Sequence, residues 1–359
     1  MDAIVLVGGE GTRMRPLTYD IPKQMLPVVD RPMIEHVVGW LARHGIDRVV
    51  LSLGYRPDAF LAAFPEGELA GARLAYAIEP EPLDTAGAVR YAAESAGVTD
   101  TFLVLNGDVL SDFDVSSLVG FHKDRGAQAT IQLTPVEDPS AFGVVPTDPD
   151  GRVSAFIEKP PPGTAPTNLI NAGCYVLEPS VLELISSGRR VSIERETFPA
   201  LVASGDLFAL ASGSYWLDTG TPEKYLEASL DILRGLRTAD SRPAAPEGVP
   251  GVFAHSSAMI EGSVRPASYI GAGAVVAVGA EVHDSVVSGG VVVEAGARIA
   301  GSMVMPGARV GRHAVIDCSI VGPGAVIGAS CQVTDRSVIG VRAELSSDSH
   351  LVAARFPAP

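Results

Sequence analysis

Four short stretches carry residue types whose spacing suits phosphate chemistry. The first is Gly8-Gly9-Glu10-Gly11-Thr12-Arg13-Met14-Arg15-Pro16-Leu17-Thr18, directly after the apolar run Ile4-Val5-Leu6-Val7. Glycines at a strand end let backbone N–H groups approach an anion closely. Arg13 adds a forked donor for phosphate oxygens. The pattern is neither a Walker A loop nor Gly-x-Gly-x-x-Gly, and taken alone it is equally an ordinary tight turn. The second stretch is Tyr19-Asp20-Ile21-Pro22-Lys23-Gln24-Met25-Leu26-Pro27. A lysine between prolines sits on a stiff, extended backbone that would aim its ammonium. By itself Lys23 reads as a solvated surface lysine. The third is Asn106-Gly107-Asp108, a carboxylate just beyond the apolar run Phe102-Leu103-Val104-Leu105. Such a carboxylate suits Mg²⁺, which takes one or two carboxylates plus phosphate oxygens, and equally suits a plain turn. Asp218, in Tyr215-Trp216-Leu217-Asp218-Thr219-Gly220, is a second candidate ligand. The fourth is Phe156-Ile157-Glu158-Lys159-Pro160. There Glu158 can accept hydroxyl protons and Lys159 can hold a phosphate, or the two form an exposed charge pair.

The elements that must position these residues are legible as periodicities. Residues 1 to about 235 alternate short apolar runs with helical patterns. Strands are expected at Ile4–Val7, Val49–Leu53 and Phe102–Leu105, and helices at Pro32–His44 and Ala86–Ala96. Pro32 is expected in the first turn of its helix, where its missing N–H costs nothing. This alternation predicts an α/β layer fold with a mostly parallel sheet. Ligands of such sheets sit at the carboxyl ends of strands, where Gly8 and Asn106-Gly107-Asp108 both fall. Residues 236–250, rich in Pro and Ala, read as a linker. From 251 to 345, small apolar residues recur six apart: Ile270, Val276, Val282; Val293, Ile299; Val310, Ile316; Ile327, Val333. This is the hexapeptide pattern of a parallel β-helix. The register slips around Val286–Val292 and Met303–Met305, where irregular corners are expected. Residues 346–359 read as a C-terminal tail.

The chain has 359 residues and a net charge of −15, with 47% hydrophobic residues. Core material is ample for two domains. Such acidity makes the chain a poor candidate for sequence-independent binding to nucleic acid and for anionic membrane surfaces. The three cysteines, Cys174, Cys318 and Cys331, form no Cys-x-x-Cys, so a disulfide framework or a cysteine-based zinc site is not expected. The first residues lack a basic segment before a long apolar run, so a cytoplasmic location is expected.

Together, in order and spacing, these stretches resemble the nucleotidyltransferases that join a sugar 1-phosphate to a nucleoside triphosphate. The resemblance covers nearly the whole chain. Gly8–Thr18 with Pro22-Lys23 is similar to the family signature, and Asn106-Gly107-Asp108, Phe156–Lys159, Asn171-Ala172-Gly173 and Trp216–Thr219 follow in the family's order. Ile170–Val176, Val191–Pro199 and Tyr215–Thr221 are most similar to the branch that transfers a guanylyl group from GTP to mannose 1-phosphate, giving GDP-mannose and pyrophosphate. The resemblance implies a Rossmann-like catalytic domain over 1–235 and a left-handed β-helix. It places Leu6, Gly8, Gly9, Gly11, Glu79, Pro82, Asp84 and Gly87 on the nucleotide. It makes Arg13, Lys23 and Asp108 catalytic, and puts Gly143, Glu158, Lys159 and Asn171 on the sugar phosphate. Asp108 and Asp218 would hold Mg²⁺. The substrates would be GTP and mannose 1-phosphate, with no nucleic-acid or membrane partner, and a homo-oligomer to which the β-helix contributes.

Base choice follows from Tyr76-Ala77-Ile78-Glu79-Pro80-Glu81-Pro82-Leu83. A carboxylate at Glu79 or Glu81 can accept the N1–H and N2–H₂ donors of guanine; a merely acidic loop is the plainer alternative. Two residues depart from the family pattern. Asp84 stands where glycine is usual, and either adds an acceptor or crowds the pocket. Gln24 replaces the usual proline after Lys23. The rival readings are glucose 1-phosphate with dTTP, UTP or ATP, a silent sugar-nucleotide-binding homologue, and an acyltransferase built on His255, His283, His313 and His350. No residue distinguishes mannose from glucose, which differ at one stereocentre.

Overall fold

The computed structural model describes residues 1–237 and 249–358. Most of the expected linker, 238–248, lies outside the described residues. Two compact units emerge: Met1–Gly9 with Ile34–Trp216, and Glu10–Met33 with Leu217–Pro359.

The first unit is an α/β layer. Its ten-stranded sheet has the order 157–158, 143–144, 169–177, 102–106, 2–6, 48–53, 72–78, 68–69, with 129–135 and 207–211 continuing from 169–177. Strands 102–106, 2–6, 48–53 and 72–78 run parallel. They read as unbroken apolar runs because both faces are covered; Ala3, Ile4, Val49, Val50, Leu103 and Val104 are fully buried. Strand Leu169–Leu177 runs antiparallel to all three of its partners, 102–106, 129–135 and 143–144, so the sheet is mixed rather than parallel throughout. Leu6 lies opposite Ser52 on one side and Asn106 on the other. The chain fills the sheet outward from 2–6 to 72–78, then returns to the other side of 2–6 at 102–106. That reversal is a topological switch point, where such sheets open a crevice beyond their carboxyl ends.

Helix boundaries differ slightly from expectation. The first helix runs Met33–Arg43, because Pro32 is held in an extended pairing with Pro27. The second expected helix runs Asp84–Ala96 and stops at Gly97, whose φ of 66° supplies the left-handed cap.

In the second unit, three parallel sheets of short strands stack as a β-helix of the left-handed class. Ile270, Val276, Val282, Val293, Ile299, Val310, Ile316, Ile327 and Val333 form its interior column. The expected irregular corners are absent, for Val286–Val287 and Met303–Val304 are regular strands in register with their neighbours. The apparent slips arise because one side of most coils is five residues long instead of six. Val282 is followed inward by Val287, Ile299 by Val304 and Ile316 by Val321. Each short side turns on one residue with positive φ: Asp284, Gly301, Cys318 and Ala353. Buried serines brace these turns. Ser302 Oγ donates to Ala300 O and accepts the Ser319 N–H at 3.0 Å, and Ser285, Ser319 and Ser337 repeat the pattern. Ser302→Ala leaves a buried N–H without its acceptor and should cost about 1–3 kcal/mol, read as a lowered denaturation midpoint. The coils also continue beyond 345. His350–Val352 and Arg355–Phe356 pair in register with the preceding coil, so most of the expected tail is β-helix.

Segment 10–33 belongs to the same unit. Ser229 Oγ accepts the Val29 N–H at 3.3 Å, and Tyr225 OH donates to Pro27 O, tying the segment to helix Pro222–Arg234. Arg234 in turn pairs with Asp284 on the β-helix.

Candidate active site

In the first unit the predicted residues gather at the carboxyl ends of the central strands. Gly107 donates its N–H to Leu6 O at 2.9 Å, so the turn carrying Asp108 lies against the strand that leads into Gly8. A Cβ at Gly107 would fall 2.5 Å from Val7 Cγ1, which explains the glycine. Gly9 is exposed and has nothing within 4 Å of a Cβ, leaving its backbone open to approach. Gly8 faces Glu79, whose Oε1 lies 3.2 Å from where a Cβ would be.

Glu79 is already at work within the protein. Ser52 Oγ donates to its Oε1 at 3.2 Å, and the Leu83 N–H donates to its Oε2 at 3.1 Å. A carboxylate offers about four lone-pair sites, so two acceptor sites remain for a ligand. Glu81 and Pro82 are exposed beside it. Gly87 faces elsewhere. Its N–H donates to Val191 O, and a Cβ there would fall 3.0 Å from Arg189 O. Gly87 thus serves helix packing against the 189–191 segment.

On the other side of the switch point, Gly143 lies opposite Glu158. A Cβ at 143 would strike Phe156 at 2.6 Å and approach Glu158 Oε2 at 3.1 Å. Lys159 Nζ is 3.5 Å from Glu158 Oε1 and mostly exposed. Asn171 lies at a register shift in strand 169–177. Its Oδ1 accepts the Gly173 N–H at 2.9 Å, and its Nδ2 donates to Tyr175 OH at 2.8 Å. Burial, then the charge of Glu194, pushes the Tyr175 phenol well above its ordinary range, so it stays neutral. Gly173 has a φ of 75° and sits 2.7 Å, by its missing Cβ, from Asn106 Nδ2. Trp216 Nε1 donates to Ala172 O at 2.8 Å and meets the Phe142 ring edge-on.

The second unit holds Gly11, Arg13, Lys23 and Asp218. Gly11 adopts a φ of 62° at the start of the turn Thr12–Met14, and Thr18 Oγ1 closes onto its carbonyl at 2.8 Å. Lys23 is only 7% exposed, which removes the surface-lysine reading. Gln24 follows it in the 3₁₀ turn Lys23–Met25 and is itself buried, so the turn fixes Lys23 without a second proline. Arg13 is exposed. Its Nη2 lies 2.5 Å and Asp218 Oδ1 lies 2.9 Å from the site of a Gly220 Cβ, so both charged groups converge on that glycine. The Gly220 N–H holds Asp218 Oδ1 at 2.8 Å.

Comparison with known proteins shows the family. The Nucleotidyl transferase family matches residues 2–235, and the GMPPB C-terminal domain matches residues 249–356. The chain belongs to the nucleotidyl transferase family. Among its relatives, mannose-1-phosphate guanylyltransferase of Mycobacterium tuberculosis is 43% identical over 79% of this chain and 76% of its own. A mannose-1-phosphate guanyltransferase of Aspergillus fumigatus is 40% identical over 74% and 73%. The crystal structure of HddC from Yersinia pseudotuberculosis superposes with a TM-score of 0.56 at 29% identity, covering 64% of this chain and 97% of that one.

Transferases of this family generally use a divalent metal. Asp108 in the first unit and Asp218 in the second each offer hard carboxylate oxygens of the kind such a cation takes. Among the described residues no group of three or more His, Cys, Asp or Glu forms a closed metal cage. Burial pushes the Cys174 thiol up to about 12, which disfavours that residue as a nucleophile. His255, His283, His313 and His350 sit on separate coils of the transferase's β-helix. Among the described residues no helix is long and apolar enough to cross a membrane.

Some contributors escaped the sequence reading. Ser52 and Tyr175, which hold Glu79 and Asn171, look like ordinary core residues in the sequence. Thr85 Oγ1 and Ser192 Oγ both donate to Glu194 Oε2, at 2.8 and 2.7 Å, locking the 191–194 segment onto the start of helix 84–96. The departure at Asp84 has a backbone cause. Its φ is 61°, a conformation natural to glycine and tolerated by aspartate. Its side chain is exposed, with Oδ1 accepting the Thr85 N–H at 2.8 Å. Asp84→Gly should therefore change stability by less than about 1 kcal/mol and KM for the nucleotide less than about twofold. Thermal melts and steady-state kinetics check this; a larger KM change would put the carboxylate on the nucleotide.

Proposed function

We propose that the chain transfers a guanylyl group from GTP to α-D-mannose 1-phosphate, giving GDP-mannose and pyrophosphate. One observation carries the reading furthest. Gly8, Gly9 and Asp108 lie at the switch point of the sheet, with the Glu79 carboxylate on one side and the Gly143–Glu158–Asn171 cluster on the other. Glu79 supplies acceptors for guanine, and Glu158 and Asn171 supply hydrogen-bonding groups for sugar hydroxyls. The relatives named as mannose-1-phosphate guanylyltransferases support the same substrate pair.

A sugar phosphate oxygen attacks the α-phosphorus in line, the new P–O bond forms, and the bond to the departing pyrophosphate breaks. The protein need supply no nucleophile. The backbone at Gly8, Gly9 and Gly11 receives the triphosphate, with Leu6, Pro82 and Asp84 bordering the nucleoside. Arg13 and Lys23 neutralise charge on the phosphates, and Lys159 holds the sugar phosphate. Catalysis is then positioning plus electrostatic stabilisation by preset groups. Asp108 and Asp218 would hold Mg²⁺, which would polarise the α-phosphate and screen its charge. A reducing cytosolic setting accords with three free cysteines. Assembly into a homo-oligomer through the β-helix is supported by exposed Met259, Ile260 and Val278 on its coils.

The test is pyrophosphate release with Mg²⁺, mannose 1-phosphate and each of GTP, ATP, UTP and dTTP, with glucose 1-phosphate in parallel. Preference for GTP and mannose 1-phosphate is the expected result. Preference for another nucleotide would remove Glu79 as the guanine reader. No turnover with any pair would overturn the reading and favour a silent sugar-nucleotide-binding protein.

A further inference from the structure

The last coil of the β-helix grips the loop that carries Arg13. Arg355 donates from Nη1 to the carbonyl of Arg13 at 2.8 Å and to the carbonyl of Arg15 at 2.9 Å. These two carbonyls lie at the end of the 3₁₀ turn Thr12–Met14. The turn satisfies the alternate ones itself: Thr12 O accepts the Arg15 N–H, and Met14 O accepts the Leu17 N–H. Carbonyls left over at a helical C-terminus favour a cationic donor. One guanidinium bridging two of them restrains the backbone on both sides of Met14. A second contact reinforces the first. A Cβ at Gly340, in the coil beneath Arg355, would fall 3.1 Å from Pro16 Cβ, so Pro16 seats closely on the β-helix there. The Arg15 side chain is turned into the loop, pairing with Glu10 at 3.4 Å and covering the Tyr19 ring at 5.3 Å.

We propose that Arg355 is a positioning residue for Arg13. In this role the β-helix fixes the backbone from which the phosphate-neutralising guanidinium extends. The assignment rests on the role given to Arg13 under the proposed function. It also gives the C-terminal domain a part in the chemistry that is separate from any assembly role. Arg355 donates to backbone oxygens of the loop and not to the Arg13 guanidinium, so its removal should alter turnover more than substrate affinity. A misplacement of about 1 Å at a positioning group can cost on the order of a hundredfold in rate.

The experiment compares full-length wild type with Arg355→Gln, Arg355→Lys and Arg309→Gln. Arg309 pairs with Glu294 on the β-helix and serves as the control for loss of a surface guanidinium. Backbone hydrogen exchange of residues 10–18 is read beside kcat, KM and melting temperature. Arg355→Gln should speed exchange in 10–18 and lower kcat at least about tenfold, with KM for mannose 1-phosphate changed less than about twofold. Arg355→Lys, which keeps a cationic donor, should recover part of both. Arg309→Gln should match wild type. Unchanged exchange in 10–18 for Arg355→Gln would overturn the clamp. Faster exchange with wild-type kcat would overturn its link to Arg13, as would a kcat loss that merely tracks a collapse in melting temperature. If wild type itself turns over no substrate pair, the proposed function is what fails, and the exchange data still decide whether Arg355 restrains the loop.

Discussion

Alanine at position 220 should lower kcat about a hundredfold while leaving the fold intact. The backbone at Gly220 is not in the left-handed region, so alanine meets no conformational strain there. The obstruction is the Arg13 guanidinium. A Cβ would lie 2.5 Å from Nη2 and 3.0 Å from Cζ, with Asp218 Oδ1 at 2.9 Å. Nη2 is the end of a long, flexible side chain, so the protein relieves the contact by moving Arg13. Alanine also narrows the unfolded ensemble, a gain of about 0.4–1 kcal/mol that offsets part of any packing loss. The melting temperature should thus move little, and the effect should appear in turnover. Removing one preset charge-stabilising donor typically costs about 10²–10³ in kcat. Steady-state kinetics beside a thermal melt separate the outcomes. Wild-type kcat would show that Arg13 does not act from its place beside Asp218. A large fall in melting temperature would show that rigid structure, not Arg13, fills the space above Gly220.

Much of the scaffold was readable as pattern. The parallel strands announce themselves as apolar runs because a doubly covered sheet needs no alternation. The β-helix announces itself through small residues six apart. Its five-residue sides look like slips in the sequence because the hexapeptide template has no place for them. The serines at 285, 302 and 319, spaced like the coils, were the visible sign of a regular shorter side. The site was readable in types but not in partners. Glu79 was visible as a carboxylate near a glycine loop. That Ser52 and Leu83 already draw on its oxygens depends on a register between strands that no local pattern encodes. Lys23 looked like a surface residue because one lysine in a polar stretch carries no sign of burial. Gly87 looked like part of a ligand loop, yet its missing side chain admits the backbone of Arg189, far away in sequence. Asn171 was visible, but the bulge that lets its amide reach both Gly173 and Tyr175 is a tertiary feature.

The second large effect is expected at Asp108. Asp108→Asn should lower kcat about a thousandfold, equivalent to roughly 4 kcal/mol of lost transition-state stabilisation. The turn that carries it has no freedom to compensate. Its Gly107 N–H is bound to Leu6 O at 2.9 Å, and Val7 Cγ1 and Leu6 O close in on Gly107 from the adjacent strand. Asparagine has nearly the shape of aspartate, so the turn persists and only one negative charge is removed. A carboxylamide is a much poorer ligand for a hard divalent cation than a carboxylate. Two readouts follow. The Mg²⁺ concentration for half-maximal rate should rise, and kcat should remain depressed at saturating Mg²⁺. The melting temperature should stay near that of wild type, because a half-buried carboxylate at a strand end contributes little to the core. Turnover unchanged in both readouts would remove Asp108 from the chemistry and reduce it to a turn former. A raised Mg²⁺ requirement with full kcat at saturation would keep it as a metal ligand but deny it a part in stabilising the transition state.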